Sequence, residues 1–201
     1  PAFDAAITHD ARALLGGDLD LRQSHHAPEP GQLAALAELG RVTLGIEMRA
    51  MASVGDNRER SLVELKGVDG VYPLVGRLEL IPPLAPAQAL ERHDGLWGAV
   101  AEANLLDRLG IRPGQRLRVG DAEFEVRAVI AKEPDRVATA LSFGPRLMVA
   151  ADAIPETGLI QPGSLIRFTA RIDLKPGLGI AQAKAGLAGR FPEAAWQVRD
   201  A

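Results

Sequence analysis

The sequence predicts an α+β fold, on three grounds. Val42, Leu44, Ile46, Met48 and Ala50 alternate with Thr43, Gly45, Glu47 and Arg49, the period-two pattern of a strand with one apolar face. Two pairs of strands are joined by turn residues, Gly55-Asp56-Asn57-Arg58 in one pair and Gly120-Asp121 in the other, so each pair reads as a hairpin. The helical segments fall irregularly among the strands, whereas a doubly wound sheet would place one after every strand.

Each element has a local cause. Phe3, Ile7, Ala11, Leu14 and Leu15 recur at helical spacing and predict a first helix over 1–15. Gly16-Gly17 stops it, because glycine takes the left-handed C-terminal conformation at little cost. Asp18-Leu19-Asp20-Leu21-Arg22 alternates as a half-buried strand. After the polar loop Ser24–Gly31, residues 32–39 read as a helix closed by Gly40. Strand 41–51 pairs with strand 61–68. Residues 72–84, with Pro73, Pro82 and Pro83, read as irregular, and Pro86 opens a short helix running to Arg92. Strand 96–101 and helix 102–109, ended by Gly110, come next. The second hairpin, 116–119 with 123–130, turns Leu117, Val119, Phe124, Val126 and Ala128 inward. A polar loop at 134–140, a strand at 146–150, a strand at 164–172 carrying Leu165, Ile166 and Phe168, a helix at 178–190 and a strand at 196–198 complete the chain. Residues 95–150 are expected to form a small β-rich part inserted between two outer segments.

Composition narrows the functions. With 201 residues, 47% hydrophobic and 24% charged, the chain can bury a substantial core, and no apolar run approaches the roughly 18 residues of a membrane span. A net charge of −3 without a densely basic stretch argues against nucleic acid as the main partner. There is no cysteine, hence no disulfide frame and no thiolate metal site. The start at Pro1 reads as the interior of a larger protein, whose membrane spans, if it has them, would lie outside this sequence.

No catalytic, cofactor or metal site emerges from the residues. His9, His25, His26 and His93 lack metal-ligand spacing and read as solvated or structural. There is no G-x-S-x-G elbow, so Ser142 and Ser164 read as turn residues, and no phosphate-cradling glycine loop. Asp4, Asp10, Asp18 and Asp20 are expected on solvent faces, and Asp56-Asn57-Arg58-Glu59-Arg60 as a solvated hairpin tip. One segment stands out: Leu-Glu-Leu-Ile-Pro-Pro-Leu over 78–84 is either a loop packed on the core or an exposed apolar surface. In the second case Leu80, Ile81, Pro82, Pro83 and Leu84 would touch a partner or lipid.

Ala13-Leu14-Leu15-Gly16-Gly17-Asp18-Leu19-Asp20-Leu21-Arg22 resembles the segment just outside the first membrane helix of FtsX/MacB-like ABC-transporter permeases, closest to the YbbP-type members. The resemblance continues, in order, through Glu47–Ala52, Leu62–Lys66, Val71–Leu74, Leu105–Gly110, Gly144-Pro145-Arg146 and Thr157–Ser164. It implies a MacB-like periplasmic core domain, α+β, with a mixed or antiparallel sheet, flanking helices and a smaller β-rich subdomain. Residues 1–94 plus 151–201 would be the membrane-proximal part and 95–150 the insertion. The resemblance further implies an inner-membrane parent with this domain periplasmic, and an ATPase carried by a separate cytoplasmic subunit, so no cofactor here. The implied task is export or extraction of lipid or hydrophobic compounds by mechanotransmission, the domain itself being non-catalytic. A periplasmic thioesterase/lysophospholipase is an implied partner. The two chain ends should lie together, and Gly16-Gly17, where a membrane helix would hand over to the sheet, becomes a motion-coupling junction. The readings from other classes are a solute- or peptide-binding module and a hydrolase with a scattered site.

Overall fold

A computed structural model describes residues 11–55, 59–136 and 144–201. The Phe3–Ile7 part of the first helical stripe, His9, the tip residues Asp56-Asn57-Arg58 and Ser142 lie outside the described residues. The strands are β1 (Leu19–Ser24), β2 (Gly40–Val54), β3 (Glu59–Val68), β4 (Glu79–Ile81), β5 (Arg92–His93), β6 (Leu96–Ala101), β7 (Arg116–Val119), β8 (Ala122–Lys132), β9 (Arg146–Ala150), β10 (Ile166–Leu174) and β11 (Gln197–Asp200). The helices after the short helical stretch 11–15 are α1 (Pro30–Leu39), α2 (Pro86–Leu90), α3 (Ala103–Leu109) and α4 (Ile180–Arg190).

All eleven strands join one mixed sheet in the order β11-β1-β10-β2-β3-β9-β6-β8-β4, with β5 beside β6. The β3–β9 and β6–β8 pairs are parallel and the others antiparallel. Strand β7 pairs with β8 along its length and with β2 at Ala52 and Ser53. The strands β2, β3, β9, β6, β8 and β7 therefore close a ring. Its inner face carries Ala52, Val63, Leu65, Ala99, Val119, Phe124, Val126, Leu147 and Val149, and α3 adds Leu105, Leu106 and Leu109 to the same core. Residues 95–150 supply β6 to β9 of this ring, while β2 and β3 come from the outer segment, so the sheet and the core run unbroken across both parts.

A second core lies under α1 and α4, where Leu36 and Leu187 meet Leu19, Leu21, Ala170 and Ile172 of β1 and β10. A third, smaller one joins Tyr72, Leu80, Leu90, Val100, Ile130 and Met148 beneath α2. Helix α2 sits directly on β6 because Gly98 has no side chain: a Cβ there would overlap the Ala89 carbonyl oxygen.

The first helical stretch ends as its glycines predict. Gly16 adopts φ +81°, and the N–H groups of Gly16 and Gly17 both donate to the Arg12 carbonyl. Several expectations are corrected. Strand β1 is buried on both faces, and Asp20, expected in solvent, is 0% exposed because charged neighbours enclose it. Leu165 precedes β10 and is 83% exposed, so the apolar face of that strand starts at Ile166. The helix from Pro86 ends at Leu90, two residues early, where the chain enters β5. Residues 79–81, expected to be irregular, pair with β8 as a short edge strand. At one end of the sheet Leu19 faces Asp200, and the Ala201 N–H donates to the Asp18 carbonyl. The turn entering β1 and the residues leaving β11 are thus side by side.

Candidate functional site

The face of the sheet opposite the second core is charged, and strand register dictates its pattern. Glu47 of β2 stands between Lys66 of β3 and Arg167 of β10. Arg49 faces Glu64, and Glu64 faces Arg146 of β9. Asp20 of β1 stands between Arg171 and Arg199. Side chains directly opposite each other share a face, so signs alternate from strand to strand and each charge gains an opposite neighbour.

The chain leaving β8 then crosses this face. Lys66, 1% exposed, donates to Glu133 at 2.7 Å, to Asp135 at 2.8 Å and to the Tyr72 hydroxyl at 3.2 Å. Its ammonium also lies 4.4 Å from the centre of the Tyr72 ring. Tyr72 in turn donates to Asp135 at 2.6 Å, and Arg171 reaches the same carboxylate at 2.6 Å. The other Glu133 oxygen accepts from Arg146 at 3.0 Å. Tyr72 is delivered by a turn built on Asp69, whose carboxylate accepts from the Thr43 hydroxyl and from the N–H groups of Leu44, Val71 and Tyr72. Arg136 continues the segment and pairs with Glu102.

These groups shift one another. Burial by itself would raise the Asp135 carboxyl, but Lys66 and Arg171 outweigh it and hold the group well below the usual aspartate range. Glu47 is lowered in the same way, its burial offset by Lys66, Arg146 and Arg171. Burial, the Asp135 and Glu133 charges and the hydrogen bond to Asp135 all push the Tyr72 hydroxyl up, so it stays a donor. Burial would lower the guanidinium groups of Arg146 and Arg171; their carboxylate neighbours raise them instead.

Beside the Lys66, Glu133 and Asp135 cluster lies an open groove of about 1250 Å³. Among the described residues, eight arginines and lysines line it against five carboxylates, although the whole chain is net acidic at −3. Each of those five, Glu47, Glu64, Glu102, Glu133 and Asp135, is already paired with a base of the chain. The bases are paired in turn, Arg22 with Asp20, Lys132 with Glu79 and Arg167 with Glu47, so the arrangement holds charge in fixed places. Among the described residues no group of three or more histidines and carboxylates is placed to hold a metal ion.

Gly16 meets this network, and Gly17 meets the backbone of β10. A Cβ on Gly16 would stand 2.8 Å from Cδ of Arg171 and 3.1 Å from Cβ of Asp135, and one on Gly17 would stand 2.8 Å from the Ile172 carbonyl oxygen. The apolar segment divides. Leu80, in β4, is 6% exposed within the third core and cannot be part of a contact surface, while Ile81 is 60% exposed and Pro82, Pro83 and Leu84 are exposed beside it. His25 Nδ1 donates to the Ser164 carbonyl, and exposed His93 lies beside Asp94. No candidate named from sequence included Lys66, Glu133, Asp135, Arg146 or Arg171. Part of the pattern was there to be read: a turn centred on Asp56-Asn57 places Glu47 opposite Lys66 and Arg49 opposite Glu64.

No family model matches the chain. The chain is 29% identical over 167 residues to the ABC transporter permease YbbP of Escherichia coli (strain K12), a match that covers 83% of this chain and 20% of the permease. The chain thus spans about a fifth of that relative's length. The periplasmic region of MacB from Actinobacillus actinomycetemcomitans superposes with a TM-score of 0.55 at 13% identity, covering 94% of this chain and 91% of that one. The extracellular domain of the noncanonic ABC-type transporter YknZ from Gram-positive bacteria gives 0.53 at 14% identity, covering 90% and 100%. At such identities the superpositions speak for the fold, and the fold is that of a MacB/FtsX-like periplasmic domain, in a chain whose sequence is similar to an ABC transporter permease.

Proposed function

We propose that the chain works as the extracytoplasmic domain of an ABC transporter permease, non-catalytic itself, that couples ATP hydrolysis by a cytoplasmic subunit to export or extraction of hydrophobic compounds. The observation that carries this reading is the likeness to a MacB periplasmic region across 94% of the chain. Two features fit it. The segment entering β1 and the residue leaving β11 are bonded to each other, as a domain looped out between two membrane helices needs. Gly16-Gly17 stands at that entry against the buried charges, where a displaced helix would act first. The exposed Ile81–Leu84 surface is the proposed contact for a periplasmic thioesterase/lysophospholipase.

These 201 residues contain no cysteine, so the test uses the parent protein with any cysteine outside them replaced by serine. In the full-length parent protein, Ile81→Cys should react with a membrane-impermeant maleimide in intact cells. Labelling only after the membrane is opened would refute the extracytoplasmic placement.

The base-rich groove favours a second reading, a module that binds an anionic solute or peptide. It expects a rise in Tm with millimolar phosphate or an acidic peptide, weakened by salt and lost in Arg199→Glu. An unchanged Tm with both ligands leaves the first reading alone.

A further inference from the structure

We infer that Asp135 pins the Gly16 turn to the charged face, so that the entry turn cannot move without moving the 133–136 segment and the groove wall it forms. The inference rests on the proposed role of Gly16-Gly17 as the place where a membrane helix hands over to the sheet.

Three observations meet at Asp135, and a fourth lies across the turn from it. The residue belongs to the segment following β8, and β6, β9, β3 and β2 lie between β8 and β10 in the sheet. It nevertheless reaches Arg171 of β10 at 2.6 Å and packs against Gly16, whose missing Cβ leaves the room. Its carboxylate is held from three elements at once, by Lys66, Arg171 and the Tyr72 hydroxyl. On the other side of the turn Arg12 forms an ion pair with Asp18 at 2.7 Å and donates to Asp173 at 2.6 Å, which ties the helical stretch to β10. A push along that stretch therefore arrives at Arg171 and Asp135 together. Asp135 passes it to Lys66, whose second carboxylate, Glu133, is bound to Arg146 of β9. Arg136, next in the chain, carries it to Glu102 at the groove. The backbone link from the turn, the Asp18 N–H to the Ile172 carbonyl, enters the sheet at β10 and continues into β2, whereas the side-chain link runs directly to the 133–136 segment. A loop held by several charge-assisted bonds moves as one piece with the groups that hold it.

Spatial contact alone does not establish coupling, so the test is non-additivity. Hydrogen exchange is measured on the 201-residue chain. Asp135→Asn should raise exchange at the Gly16, Gly17 and Asp18 amides about tenfold or more, and leave Ala99 and Val126 of the ring within about twofold. Arg12→Met should raise exchange at the Lys132, Glu133, Asp135 and Arg136 amides in the parent chain. In the Asp135→Asn background it should have no such effect on those of the four that remain comparable, Lys132, Glu133 and Arg136. Unchanged protection at 16–18 overturns the inference. So does a rise spread equally over both halves of the sheet, or an Arg12→Met effect that is the same in both backgrounds. If Asp135→Asn does not fold, Tyr72→Phe keeps every charge and removes one bond to Asp135. It should loosen the same three amides about threefold, and no change there overturns the pin. These results are read on the chain alone, so they fail or succeed separately from the maleimide test of membrane placement.

Discussion

Lys66 decides the energetics of the charged face because it is a buried cation shared by two buried carboxylates. Such clusters add little net stability over an apolar replacement of the whole set, but removing one member strands the others. Lys66→Met is expected to cost about 3–5 kcal/mol in urea denaturation, more than loss of the exposed Arg92–Glu156 pair, worth at most about 1 kcal/mol. The acid limb follows from Asp135 and Glu47, both held below their ordinary values. A depressed carboxyl contributes its full stability above its unfolded pKa, 3.8 for Asp135, and that contribution is lost as pH falls below it. The urea midpoint should therefore drop steeply between about pH 4 and pH 2, and Asp135→Asn should flatten that drop. At this scale little was legible in the sequence. The cross-strand charges of β2 and β3 follow from the turn, and alternation places Arg171 on the polar face of β10, whereas Asp135 reaches Arg171 from a distant loop that carries no periodic pattern.

Hairpins and helix stops are where local rules sufficed. The β2–β3 and β7–β8 pairs form as alternation and turn residues require, and Gly16 and Gly110 close their helices in the left-handed region. The rules failed at β1 and β4. Strand β1 alternates polar and apolar residues yet is buried on both faces, because its polar face meets the arginines of β10 instead of water. Strand β4 is three residues followed by Pro82-Pro83, too short for a periodic signal, and its brevity and prolines suit a sheet edge that must not recruit another strand. The α2–β6 contact gives a sharp test. Gly98→Ala leaves composition nearly untouched but forces α2 off the strand, and should destabilise by about 1–3 kcal/mol, seen as a fall of several degrees in Tm. Gly70→Ala, where a Cβ would meet nothing within 4 Å, should leave Tm unchanged within about a degree.

For the molecule as a whole the closed ring matters most, since it ties residues 95–150 to the outer segments through β2 and β3. The chain should then unfold in one transition, not two. Its two tryptophans report on opposite regions, Trp97 from β6 and Trp196 beside Phe191 next to β11. Single-tryptophan variants, Trp97→Phe and Trp196→Phe, are expected to give the same urea midpoint by fluorescence; separate midpoints would mark residues 95–150 as an independent unit. That ring was not visible in the sequence, because it closes through two residue pairs between β2 and β7, fewer than any periodic signal can carry. Strand β2 links all of these parts. It begins at Gly40, paired with Leu174 beside the turn entering β1, and runs unbroken for 15 residues to Val54 next to the hairpin turn. At ~3.3 Å per residue that is a rod of about 46 Å, so a tilt of about 10° at Gly40 would carry Val54 through roughly 8 Å. A small rotation at the entry end thus becomes, at the far tip, a displacement wider than the gap between neighbouring strands.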